Sequence, residues 1–112
     1  MKIAIPTNGG KLCQHFGHCE VFTFIEVDDT TKQIINREEI TPPEHVPGII
    51  PPWVAEQGAK LVIAGGMGGR AQGLFEEQGI KVIVGAPAEV PEKLVLDYLK
   101  NTLVTGENAC DH

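Results

Sequence analysis

The chain has 112 residues, 42% of them hydrophobic, and a formal net charge of −6. That length suits one domain around one core. The acidic balance argues against general binding to phosphate backbones, and apolar runs such as Leu61-Val-Ile-Ala64 are far too short to cross a bilayer.

Met1-Lys2 leads straight into a strand pattern without a leader, so a soluble cytoplasmic protein with no nucleic-acid and no membrane partner is expected. Lys2-Ile-Ala-Ile-Pro6 reads as a first strand that Pro6 interrupts. A glycine-rich loop, Thr7 to Cys19, follows. Glu20 to Val27 and Gln33 to Ile40 read as two strands of a hairpin, joined by a turn at Asp28-Asp-Thr-Thr31. A proline-rich connection, Thr41 to Gly48, carries His45.

A repeated unit comes next. Trp53-Val-Ala-Glu-Gln-Gly-Ala-Lys-Leu-Val-Ile63 is similar to Leu74-Phe-Glu-Glu-Gln-Gly-Ile-Lys-Val-Ile-Val84. Each half reads as a helix end, a terminating glycine and a buried strand. Pro51 and Pro52 suit the first turn of the earlier helix. The later helix is expected from Gly69 to Gln78. A third starts near Pro91, with Leu94, Val95, Tyr98 and Leu99 on one face, and the pattern weakens after Asn101. The order is thus three strands followed by alternating helices and strands. It predicts an α/β fold with a mixed, partly parallel sheet covered on both faces. One domain over residues 1–104 and a Cys/His-bearing tail over 105–112 complete the organisation. Ligands in such sheets gather beyond the carboxyl ends of parallel strands, so the loop Thr7–Cys19 and the loop Gly65–Arg70 should share one mouth if their strands are neighbours.

Chemistry is concentrated in two stretches. Cys13-Gln-His-Phe-Gly-His-Cys19 holds two thiols and two imidazoles, and Cys110-Asp-His112 holds one more of each. Thiolate and imidazole are the donors that soft and borderline metals select. In a reducing compartment clustered Cys and His read as a metal or redox site rather than a disulfide frame, although a Cys13–Cys110 bridge stays open. The metal-ligand candidates are therefore His15, Cys13, Cys19, Cys110, His18 and His112. The competing reading makes Cys13 and Cys19 small buried hydrophobes and the histidines local hydrogen-bonding groups. Phe16 reads as a core anchor for the loop. The tail lies within chain reach of the mouth.

The run Ala64-Gly-Gly-Met-Gly-Gly-Arg-Ala71 is neither a dinucleotide fingerprint nor a phosphate loop. Its bare backbone, the helix start behind it and the positive Arg70 would suit an anion. Gly65, Gly66, Met67, Gly68, Gly69 and Arg70 are accordingly candidate cofactor-binding residues. The competing reading is a tight strand-to-helix turn with a solvated Arg. His45 joins this set only if the first helix points its start at the same mouth. No nucleophile elbow or His-Glu-x-x-His appears, and the first strand carries no carboxylate for a two-metal nuclease centre.

Four segments together resemble the dinitrogenase iron–molybdenum cofactor biosynthesis family: Ile3-Ala-Ile-Pro-Thr7 to His15-Phe-Gly-His-Cys19, His45-Val-Pro-Gly48, Leu61 to Ala71, and Thr105-Gly-Glu-Asn-Ala-Cys-Asp-His112. They occur in the family's order and span nearly the whole chain. The resemblance implies a ribonuclease-H-like, three-layer α/β/α fold with a mixed five-stranded sheet. It also implies a non-enzymatic protein that binds or carries a metal–sulfur cluster or its precursor, whether iron–molybdenum, iron–sulfur or molybdenum–copper–sulfur. A cofactor-assembly protein would then be a partner, in nitrogen fixation or outside it. The same resemblance ranks His15 above Cys13, His18 and Cys19. The alternatives are a mononuclear zinc or iron site and a thiol-redox sensor.

Overall fold

The computed structural model describes residues 1–16, 19–44 and 48–106. Nine elements run in the order β1 (Lys2–Asn8), β2 (Lys11–Leu12), β3 (Val21–Val27), β4 (Ile34–Ile40), α1 (Ile50–Glu56), β5 (Ala59–Ile63), α2 (Gly69–Glu77), β6 (Lys81–Ile83) and α3 (Pro91–Leu99). The sheet order is β4-β3-β1-β5-β6, with β2 paired to β1 off that path. β1, β5 and β6 are parallel, whereas β3 is antiparallel to both β1 and β4. The expected five-stranded mixed sheet is therefore present, and the two-residue β2 adds a sixth strand.

Period-two alternation explains the layers. Along β1, Ile3 and Ile5 belong to an apolar cluster with Leu94 and Val95 of α3. Ala4 points the other way, into a cluster with Ile50 and Val54 of α1 and Phe75 of α2. Two helices thus cover one face and one covers the other, a three-layer α/β/α arrangement. The stripe read on the third helix is the face that packs, with Leu94 and Val95 buried and Tyr98 and Leu99 packed at its margin.

The repeat read from the sequence corresponds to α1–β5 and α2–β6. Gln57 and Gln78 are the C-caps, and the glycines after them, Gly58 and Gly79, have φ of +88° and +75°. Only glycine adopts that conformation without strain, so these residues end the helices. β6 is half-buried rather than fully buried because it is the last strand of the sheet path. Beside it, Ile83, Tyr98, Asn101, Leu103 and Thr105 line a cavity of about 200 Å³ under the C-terminal segment.

The first strand does not stop at Pro6. Its ladder to β3 continues through Pro6↔Phe22 and Thr7↔Val21, while pairing with β5 ends at Ala4↔Val62. Pro6 lacks an N–H, so it cannot complete a ladder on both sides. The lane that β5 leaves open is taken by the Cys/His loop, where the Cys13 N–H donates to the Pro6 carbonyl at 2.9 Å. Between β1 and β2, Gly9 and Gly10 both have positive φ, 60° and 83°, as a two-residue primed hairpin turn requires.

Candidate functional site

β1 and β5 are parallel neighbours, so the loops that leave their carboxyl ends do meet. The contact is direct. His15 and Gly66 form a parallel bridge, the Gly66 N–H donates to the Gln14 carbonyl at 2.7 Å, and the Phe16 N–H donates to the Gly66 carbonyl at 3.0 Å. Gly65 makes this approach sterically feasible. A methyl group there would lie 3.1 Å from the Gln14 oxygen and 3.2 Å from the Cys13 oxygen. A third loop also reaches the mouth, because the Leu12 N–H donates to the Glu89 carbonyl at 3.0 Å.

Aromatic packing fixes the loop from below. The Phe16 ring stands edge-on to Phe22 and Phe75 at centroid distances of 5.9 and 5.6 Å, which makes it the expected core anchor. Cys13 and Cys19 turn into the same apolar cluster and are only 5% and 8% exposed. Both are free thiols. Met67 is fully buried in that cluster, so its thioether packs the core beneath the turn. His15 is exposed, as are Gly69 and Arg70, while Gly65 and Gly66 are buried and Gly68 is half-buried. His18, His45, Cys110 and His112 lie outside the described residues. Among the described residues, no three His, Cys, Asp or Glu side chains gather into a metal-holding group.

The electrostatics at Cys19 differ from those of a reactive-cysteine site. Burial, reinforced by the neighbouring Cys13 sulfur, pushes the Cys19 thiol up to about 12. Cys13 holds its own hydrogen bonds. Its Sγ donates to the His15 carbonyl at 3.0 Å and accepts from Asn8 Nδ2 at 3.3 Å. The Asn8 Oδ1 accepts the Glu20 N–H, and the Glu20 carboxylate in turn accepts the Gly9 N–H at 3.2 Å. One residue at the end of β1 thereby holds both ends of the Cys13–Cys19 loop.

The turn from β5 to α2 is built without a side-chain cap. Gly68, the N-cap, is extended at φ −66° and ψ 154°, and the Gln72 side chain donates back to the Met67 carbonyl at 2.9 Å. Arg70 follows in the first turn, where its charge opposes the helix dipole. The other helix relevant to the mouth is α1. Its last turn reaches the start of β1, where Lys2 Nζ donates to the Gln57 carbonyl at 2.9 Å. Its start therefore lies at the carboxyl end of β1. An open groove of about 570 Å³ lined by Met1, Lys2, Glu26, Asp29, Gly58 and Lys60 marks the opposite end of the sheet.

The C-terminal segment arrives at the same end as the mouth. The Gly106 N–H donates to the Gly85 carbonyl at 2.7 Å, and the Gly85 N–H donates to the Gly65 carbonyl at 2.7 Å. The sequence reading had missed Asn8, Gly85 and Glu89. A signal existed for Gly85 alone, since it ends the strand of the second repeat as Gly65 follows that of the first.

Residues 1–101 match the dinitrogenase iron-molybdenum cofactor family. The chain belongs to that family. Among curated proteins, the uncharacterised protein MJ0580 of Methanocaldococcus jannaschii is 28% identical over 99 residues, covering 86% of this chain and 84% of that one. Among solved structures, the crystal structure of PH0822 superposes with a TM-score of 0.87 at 25% identity, covering 96% of each chain. The apo form of the orange protein from Desulfovibrio gigas shares the fold, with a TM-score of 0.73 at 22% identity over 96% of this chain and 93% of that one. Among the described residues, no helix is long and apolar enough to cross a membrane.

Proposed function

We propose that this protein binds or carries a metal–sulfur cluster, or a precursor of one, as cargo at the mouth between the Cys13–Cys19 loop and the Gly65–Arg70 turn, and that it catalyses no reaction of its own. The observation that carries the reading is the backbone join between His15 and Gly66. It sets a run of soft donors beside glycine backbone and the start of a helix. A metal–sulfide cluster is a polyanion with few open metal positions, so it needs one or two thiolate or imidazole ligands together with N–H donors and positive charge nearby. Among the described residues, His15 is the exposed donor. Cys13 and Cys19 have the right chemistry but face inward, so seating a cluster on them requires the loop to open. Arg70 and the backbone of Gly65, Gly66, Gly68 and Gly69 offset the charge.

Membership of the family supports this reading. An iron–molybdenum, iron–sulfur or molybdenum–copper–sulfur composition and a role in cofactor assembly beside a delivery partner are the finer parts of the proposal. Residues outside the described set complete the candidate ligands: His18, His45, Cys110 and His112. Gly106 is two backbone hydrogen bonds, about 5 Å each, from Gly65. Four extended residues span about 13 Å, so Cys110 is within reach of the mouth.

Anaerobic reconstitution with iron, sulfide and molybdate tests the proposal. Charge-transfer absorption in the visible, with metal and labile sulfide retained on the protein, is the expected result. Colourless, metal-free protein by elemental analysis would count decisively against it. The mononuclear alternative predicts one metal per chain without sulfide. A thiol-redox role for Cys19 is disfavoured because a thiol at about 12 is protonated at neutral pH.

A further inference from the structure

Asn8 is the last residue of β1, and its backbone is fixed by the primed hairpin turn through Gly9 and Gly10. Two contacts of its side chain are of opposite kind. The Oδ1 must accept, because the Glu20 group facing it is an N–H; the Nδ2 must therefore face Cys13 Sγ, at 3.3 Å. No other side chain of this size both accepts on one arm and donates on the other, apart from the longer Gln. Asp would keep the first contact and lose the second.

The Cys13 sulfur has two neighbours with opposite roles. The His15 carbonyl, 3.0 Å away, accepts its S–H. The Asn8 amide donates to it at 3.3 Å, a bond that a metal-bound sulfur still accepts. When a metal displaces the thiol proton, the bond to His15 is lost and the bond from Asn8 strengthens. We infer that Asn8 is a positioning residue for metal capture at Cys13: it clasps the loop through Glu20 and supplies the N–H···S bond that stabilises the metal-bound thiolate. This inference rests on the cluster-binding reading, but its test separates the two.

The test compares Asn8 with Asn8→Asp and Asn8→Ala in the full-length protein carrying Cys19→Ser and Cys110→Ser, so that Cys13 is the one thiol. The probe is silver(I) alone, a soft ion with little affinity for carboxylate, titrated anaerobically against a competing thiol. Amide exchange at Glu20 is measured in parallel on the metal-free proteins. If Asn8 only holds the loop, Asp behaves like Asn in silver uptake and Ala is the weaker variant; the Glu20 N–H, which the Thr7 carbonyl also accepts at 3.1 Å, reports whether the loop stays folded in each. If the N–H···S bond matters, Asn8→Asp keeps the Glu20 amide protected yet weakens silver uptake at least tenfold, and more than Asn8→Ala does.

A metal-free readout keeps the inference decidable when wild-type protein takes up no silver, a result that would sink the binding reading instead. In the same background the S–H stretching band reports Cys13 alone. Removal of the Asn8 donor should shift that band in both variants. An unshifted band, or silver uptake equal with Asn8 and with Asn8→Asp, overturns the inference.

Discussion

Cys19 carries the most perturbed thiol among the described residues, and its shift makes a statement about stability. The ordinary value is 9.0 and the folded value is about 12, because burial and the Cys13 sulfur disfavour the anion. The folded chain therefore holds this proton over a range in which the unfolded chain releases it. The resulting stability is fully present below pH 9 and is lost as pH rises toward 12, amounting to at most about 4 kcal/mol. Chemical denaturation between pH 8 and about 11.5 should show that decline in the wild type and a flatter profile in Cys19→Ala. A close approach makes the second prediction at this scale. Gly65→Ala would place a methyl group 3.1 Å from both the Gln14 oxygen and a Leu12 methyl carbon. The loop and turn must separate, with an expected loss of about 1–3 kcal/mol by thermal melting and faster amide exchange at Gly66 and Phe16. The donor types of the site were legible in the chain, but their burial was not. A Cys–x–His word is written the same way whether its thiol faces a metal or a core; the inward turn of Cys13 and Cys19 goes with long-range contacts, the packing of Phe16 onto Phe22 and Phe75 and the bonds of Cys13 to Pro6 and Asn8.

Elements were legible wherever a long-period signal existed. The three helices, the β3–β4 hairpin and the repeat were readable from apolar spacing, prolines at helix starts and glycines at helix ends. β2 was not, because two residues carry no period; it exists through the Gly9-Gly10 turn and its register with Thr7 and Asn8. The C-terminal segment was unreadable for a related reason. Thr102 to Gly106 has no alternation, and its course is set by the packing of Leu103 and by one hydrogen bond to Gly85. That bond permits a controlled comparison. Gly79 and Gly85 share positive φ, 75° and 80°, but an added methyl group meets nothing at Gly79 and would lie 2.2 Å from the Gly106 oxygen at Gly85. Gly79→Ala should cost only the left-handed strain, about 1–2 kcal/mol. Gly85→Ala should cost more and should also expose the Gly106 amide to exchange and the 102–106 segment to limited proteolysis. Equal losses and equal proteolysis in the two variants would show that the segment is not held by Gly85.

At the scale of the whole molecule, cargo binding and folding draw on the same protons. The loop that bears the thiols is tied to β1 through Pro6 and Asn8, to β5 through Gly66 and to the β6–α3 connection through Glu89. Opening it to seat a cluster therefore disturbs its joins to β1 and to the connections that follow β5 and β6, and a seated cluster should restore them with new bonds. Ligand bound only by the folded state stabilises that state, by about 2.7 kcal/mol when free cargo is a hundred times its dissociation constant. Thermal melting of the loaded protein should be shifted upward, and removal of metal by a chelator should return it to the apo value. The pH dependence carries a definite sign. Each thiol that becomes a ligand must lose its proton, and Cys19 holds its proton up to about pH 12. Uptake through Cys19 should consequently strengthen by about tenfold for each unit of rising pH across the neutral range, with one proton released per loaded Cys19. Cys19→Ser should reduce that slope. A wild-type slope of zero between pH 6 and about 8.5 would mean that Cys19 gives up no proton to the cargo and that other residues hold it instead.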